Sequence, residues 1–164
     1  PDRRRSSGGG ARVRLAGEPV RRGHNKDLGF TPEHRAENNR RLAEVATHLA
    51  RNGHIAIVAA VSPAREDRAA ARRVAGDLFR EIYVATAAEI CESRDPKGHY
   101  AKARAGDLPG FTGIANDYQA PETVELRIDT SKVDVGRAID GIEDMLRQTR
   151  VLDVNAELEA FEAV

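Results

Sequence analysis

Residues 54–61, HIAIVAAV, form an almost uninterrupted apolar run between Gly53 and the pair Ser62–Pro63. A run this short, bounded by turn residues, suits a strand covered on both faces better than a helix. Such a strand belongs in a parallel sheet, where neighbouring strands are joined by long crossovers, usually helices. The flanking sequence supplies both kinds of element. ARVRLA (11–16) alternates and predicts a first strand, while EIYVAT (81–86) and VELRID (124–129) predict a third and a fourth. Thr31 predicts a helix cap, with Pro32 at the first helical position and Glu33 in the first turn. Leu42, Val45, Ala46 and Leu49 then recur on one face until Gly53 stops the helix. Ser62 predicts the N-cap of a second long helix reaching about Phe79. Thr86 and Glu89 predict a capping box for a short helix carrying Ile90 and Cys91, with Cys91 as a buried core thiol. Val135, Ile139, Ile142 and Leu146 mark a closing helix.

Strands alternating with helices predict an α/β fold, a parallel sheet flanked by helices on both faces. Such sheets bind ligands beyond the carboxyl ends of their strands. The polar segments that follow strands are therefore where a site belongs: 17–30, 62–68 and 94–122. The last is long and rich in Gly and Pro, as a lid would be.

The 164 residues suit one domain. No apolar run approaches the roughly 20 residues that span a bilayer, and the arginine-rich start does not read as a signal peptide. The single cysteine excludes an internal disulfide and suits a cytoplasmic setting. With the histidines scattered, no metal site is expected. Net charge is zero but uneven: residues 1–22 hold seven arginines against Asp2 and Glu18, and residues 151–164 hold four acids and no base. Residues 1–10 read as a flexible basic arm, 11–150 as the folded domain and 151–164 as an acidic tail. No aromatic residue interleaves with the arm's arginines, so a solvated arm is favoured over a nucleic-acid surface. The glycines of SSGGG precede a strand instead of following one, and are not a phosphate loop.

Three blocks, RRGHNKDLGFTPEHRAENNRRLAEVA, VSPAREDR and ESRDPKGHYAKARAGDLPGFTGIANDYQAPE, occur in that order between residue 11 and about 130. Together they resemble the adenylylsulfate kinase family. The resemblance implies a P-loop kinase fold and transfer of the ATP γ-phosphate to the ribose 3′-hydroxyl of adenosine 5′-phosphosulfate (APS), giving PAPS. It implies ATP as co-substrate with Mg2+, a homodimer, and fusion to or association with an ATP sulfurylase. By the same resemblance Phe30 and Phe111 sandwich the adenine of APS; stacking of this kind is worth about 1–3 kcal/mol per base. Without it, each is a packing anchor in a polar loop. Arg21, Arg35 and Asn38 would hold the phosphosulfate and orient the ribose, with Val61 lining the same site; guanidinium forks match such anions. Ser62 would be a phosphoserine intermediate or a hydroxyl that positions substrate. Lys97, in the intact DPKG, would bind APS and act in catalysis. Lys102 and Arg104 would bring lid cations to the transferred phosphoryl group, and Ala120 and Pro121 would lie beside the ATP base.

The sequence also departs from the family pattern. No G-x-x-x-x-G-K-[ST] motif occurs in these 164 residues. In the family that loop follows the first strand and holds the ATP phosphates and magnesium, so strand and loop are expected upstream of Pro1. The family's Leu-Asp-Gly-Asp-x-x-Arg reads here Leu15, Ala16, Gly17, Glu18, Pro19, Val20, Arg21. Glu18 is then the candidate base for the ribose hydroxyl, one methylene longer than the usual aspartate, and ångström-scale misplacement can cost on the order of 100-fold in rate. Asn39 stands where an apolar residue is usual, and half-buried it needs a partner. Two functions stay open: a working kinase, or an inactive kinase-like domain binding APS or PAPS as a regulatory ligand.

Overall fold

The computed structural model describes residues 12–108, 110–114 and 118–149. The proposed arm (1–10) and tail (151–164) lie outside them. Two parallel ladders carry the fold. Strand β1 (Arg12–Ala16) pairs with β2 (Ile55–Ala59), from Arg12 opposite Ile55 to Ala16 opposite Ala59. Strand β3 (Ile82–Val84) pairs with β4 (Leu126–Ile128). The helices are α1 (Gly17–Arg22), α2 (Pro32–Arg51), α3 (Arg65–Ala75), α4 (Ala88–Arg94), α5 (His99–Arg104) and α6 (Val135–Gln148).

The predicted α/β alternation is present, but the expected single sheet is two ladders, each two strands wide. Strand β2 is not covered on both faces as expected: Ile57 is 49 % and Val58 41 % exposed, and successive strand residues point to opposite faces. The reason is that α2 is the helix that packs on β2; β2 also bonds only to β1 and β3 only to β4, so among the described residues each keeps an unpaired edge.

Helix α2 follows its sequence signals. Thr31 Oγ1 accepts the His34 N–H at 3.3 Å, Pro32 occupies the first turn, and Gly53 past the end takes φ 78°. Leu42 and Ala43 are buried where α2 packs on α3 and on the β1–β2 ladder, although Val45 stays exposed.

Other expectations need correction. The 17–30 loop begins with helix α1. Ser62 does not cap α3, whose N-cap is Ala64 without a side-chain bond; the Arg65 N–H instead donates to Gln119 Oε1 at 2.8 Å. That helix ends at Ala75 in a 3-10 turn, Gly76–Leu78, rather than reaching Phe79. The capping box does not form. Thr86 Oγ1 lies 2.7 Å from Thr130 Oγ1 and accepts the Thr130 N–H at 3.0 Å, so it serves the end of β4 instead of α4. Cys91 is half-buried, not core, with its thiol 3.8 Å from the Thr86 carbonyl. In α6 Met145 is buried while Val135 is 76 % exposed. That helix packs on β4, and a three-residue strand covers about 10 Å of a helix about 21 Å long.

Arg68 of α3, only 8 % exposed, joins the two ladders. Its Nε meets Glu81 Oε1 at 2.8 Å, Nη1 donates to the carbonyls of Ser62 (2.8 Å) and Pro63 (3.2 Å), and Nη2 donates to that of Gln119 (2.5 Å). Its guanidinium also lies 5.1 Å from the Tyr118 ring centroid, and Tyr118 stacks on Tyr83 at 5.6 Å. One turn on, Arg72 forks onto Glu125 at 2.7 and 3.0 Å. Glu125 also accepts the Glu81 N–H at 2.7 Å. The Arg72 bonds, above all, hold the Glu125 carboxyl down at about 2, against an ordinary 4.5. Because the folded value lies below the unfolded one, this stabilisation is full above the unfolded value and disappears as pH falls from about 5 toward 2. The melting temperature is expected to fall through that window, and Glu125→Gln to flatten the fall. An unchanged slope in the variant, measured by calorimetry across pH, counts against the assignment.

Candidate functional site

The site grows from three segments: the turn after α1, the face of α2 that meets it, and the end of β2. Arg21, in the last turn of α1, donates from Nη1 to the carbonyls of Gly29 (2.7 Å) and Leu28 (3.3 Å), and its guanidinium lies 4.6 Å from the centroid of the Phe30 ring. Phe30 remains 64 % exposed, an aromatic ring offered to solvent.

Arg35 of α2 is the centre of the arrangement. Its Nε donates to the Phe30 carbonyl at 2.9 Å, Nη2 to the Gly110 carbonyl at 2.7 Å, and Nη1 to Thr112 Oγ1 at 2.8 Å. One guanidinium thus ties the loop bearing Phe30 to the loop bearing Phe111, some 80 residues away in sequence. Phe111 is braced edge-on by Tyr100 (5.1 Å between centroids) and His99 (6.3 Å). Burial, and next the charge of Arg35, push the Arg21 guanidinium below its ordinary value. Two cations held in each other's field are a place where a bound anion relieves repulsion.

Asn38 is buried, and its Oδ1 accepts from Asn25 Nδ2 at 2.9 Å. That bond ties the Asn38 amide of α2 to the turn after α1. Asn25 itself is 0 % exposed, and sequence reasoning missed it. Nothing in GHNKDLGF separates a buried loop asparagine from a solvated one.

Ser62 follows β2 with φ 42°, in the left-handed region that favours glycine, and Val61 beside it is exposed. Its hydroxyl donates to Asn39 Oδ1 at 3.0 Å. The expected partner for Asn39 is therefore present. Gln119 N–H donates to the Pro63 carbonyl at 3.0 Å and Arg65 Nη2 to the Ala120 carbonyl at 2.9 Å, which seats Ala120 and Pro121 against the start of α3.

Lys97 lies in the turn between α4 and α5, Lys102 is exposed on α5, and Arg104 forks onto Glu92, with Nη2 to Oε2 at 2.8 Å and Nε to Oε1. Glu18 falls within α1, and the side chains of residues 17–19 lie outside the described part. Among the described residues no group of three or more His, Cys, Asp or Glu is placed to hold a metal ion. None of the described helices is long and apolar enough to cross a membrane.

Residues 3–129 match the family model described as adenylylsulphate kinase. The chain belongs to the adenylylsulphate kinase family. Adenylyl-sulfate kinase from Staphylococcus epidermidis is 46 % identical over 136 residues, covering 82 % of this chain and 68 % of that one. The enzyme from Paraburkholderia xenovorans is 44 % identical over 132 residues, covering 80 % and 74 %. Among solved structures, the Mycobacterium tuberculosis APS kinase CysC in complex with AMPPNP and APS is 45 % identical, with a TM-score of 0.78 over 84 % of this chain and 80 % of that one. The fold is therefore that of the P-loop kinases. The adenylylsulphate kinase family is one of phosphotransferases that use ATP to phosphorylate a hydroxyl of APS.

Proposed function

We propose that this chain binds APS with its adenine between Phe30 and Phe111 and its phosphosulfate beside Arg21, presenting the ribose 3′-hydroxyl for phosphorylation by ATP. The observation that carries this reading is the Arg35 bracket, which draws two aromatic loops together beside a second arginine. Asn38, fixed by Asn25, donates to a ribose oxygen, and Val61 and Ser62 line the far side. Glu18 serves as the base that takes the ribose proton. Lys97 and Lys102 supply cations to the transferred phosphoryl group, whose spread charge must be neutralised. Arg104 joins them only by releasing Glu92. Ala120 and Pro121 flank the ATP base. When bound, Mg2+ would neutralise phosphate charge, and the described residues supply no step through it. A domain of residues 11–150, a cytoplasmic setting, a homodimer and association with an ATP sulfurylase belong to the same reading.

Calorimetric titration with APS, joined to an assay of ATP-dependent PAPS formation, tests it. Phe30→Ala and Phe111→Ala are each expected to weaken APS binding about 5- to 150-fold, since base stacking on an aromatic face is worth about 1–3 kcal/mol. A chain that shows no APS binding, or variants that bind as the parent does, removes the reading.

A further inference from the structure

Asn39 is 8 % exposed on the inner face of α2, where both ends of its amide need partners. Its Nδ2 lies 3.4 Å from Asp67 Oδ2, and its Oδ1 lies 3.0 Å from Ser62 Oγ. An ionised carboxylate only accepts, so the donating end of the amide faces Asp67 and the accepting end faces Ser62. Flipping the amide sets its oxygen against the carboxylate oxygen, two acceptors face to face. Asp67 therefore fixes Asn39, and Asn39 takes the Ser62 hydroxyl hydrogen. The other side of Ser62 is fixed too: Arg68 Nη1 holds its carbonyl at 2.8 Å while the backbone sits at φ 42°. Residues held in such sparsely populated conformations need surrounding contacts to keep them there.

With its one hydrogen committed, the Ser62 hydroxyl can offer only lone pairs to anything that enters the site. The amide oxygen of Asn39 is not a base, so this contact leaves Ser62 without the proton acceptor that a nucleophilic hydroxyl needs. We infer that Asn39 is a positioning residue that sets Ser62 as a hydrogen-bond acceptor for the nucleotide substrate, reading a hydroxyl or amino hydrogen of APS rather than accepting phosphate. The inference rests on the APS reading for its ligand, and on the Asn39–Ser62–Asp67 geometry for the rest.

Four proteins test it: the parent chain, Asn39→Leu, Ser62→Ala and the double variant, each measured for APS affinity by calorimetry and for unfolding in urea. Asn39→Leu and Ser62→Ala are each expected to weaken APS binding about 3- to 15-fold, the loss of one hydrogen bond. The double variant should bind no more weakly than Ser62→Ala alone, because Asn39 acts through that hydroxyl. Asn39→Leu binding like the parent, or losses that multiply in the double variant, overturns the inference. Unfolding decides the contact without ligand: the two substitutions should be non-additive in stability, and strict additivity also overturns it. A parent chain that fails to bind APS while the unfolding cycle shows coupling sinks the APS reading and, with it, the role of Ser62 toward that nucleotide, but leaves the Asn39–Ser62 bond standing.

Discussion

Arg35→Ala is expected to weaken APS binding by roughly 30- to 1,000-fold, about 2–4 kcal/mol, when charge-assisted hydrogen bonds of this kind are worth about 1.5–3 kcal/mol each before exposure reduces them. The loss comes from what the guanidinium holds, not from a bond it must make to the ligand. Its three bonds reach the Phe30 carbonyl, the Gly110 carbonyl and the Thr112 hydroxyl. Without them the two phenylalanine loops must be ordered by the nucleotide itself, and that ordering subtracts from affinity. Arg35→Lys should recover little, because a compact ammonium on a flexible stem does not reproduce the rigid fork by which the guanidinium reaches three separate acceptors. Calorimetric titration of both variants decides the matter. An Arg35→Lys protein within threefold of the parent contradicts the bracket.

Arg68→Met should act on stability instead. It removes the nearer partner of a nearly buried ion pair and leaves Glu81, 13 % exposed at its side chain, with only the longer contact to Arg72 Nη2 at 3.7 Å. Breaking such a pair from one side costs about 3–5 kcal/mol. For a domain of this size that lowers the melting temperature by roughly 10 °C, at about 2–4 °C per kcal/mol. It also frees the carbonyls of Ser62, Pro63 and Gln119. Adding Glu81→Gln should return part of the loss, since the stranded charge goes with it. Scanning calorimetry of the single and double variants tests this; a double variant less stable than Arg68→Met shows that the ion pair is not the main term.

What the sequence disclosed and what it hid divide along the range of the interactions. Thr31, Pro32 and Glu33 act within one turn, so the start of α2 is readable from local chemistry alone. The strands are readable because apolar alternation belongs to the segment that carries it. Ser62 was misread as a cap because the group that serves the start of α3 is Gln119, 54 residues away. Thr86 was misread because its hydroxyl meets Thr130 across the β3–β4 ladder. Phe30 and Phe111 were picked out through family blocks, but their union through Arg35 exists only in three dimensions. Asn25 carried no signal, since its burial depends on how α1 turns the chain back onto α2. The pairing of Arg104 with Glu92, twelve residues earlier, is likewise invisible in the sequence, which shows charge and not its neighbour.

Among the described residues the edge of β2 away from β1 is unpaired, and this has a consequence for them in solution. The strand reads IAIVA, with no charge, proline or glycine along it. Proteins usually guard such edges with those residues, because open amides and carbonyls template further strands. Here the edge is bordered by exposed Ile57 and Val58. Any extended apolar segment that reaches it, from this chain or from another copy, finds backbone partners already aligned. Self-association of the described part should therefore grow with concentration along this edge, and a segment that fills the edge would protect the chain as well as complete the ladder.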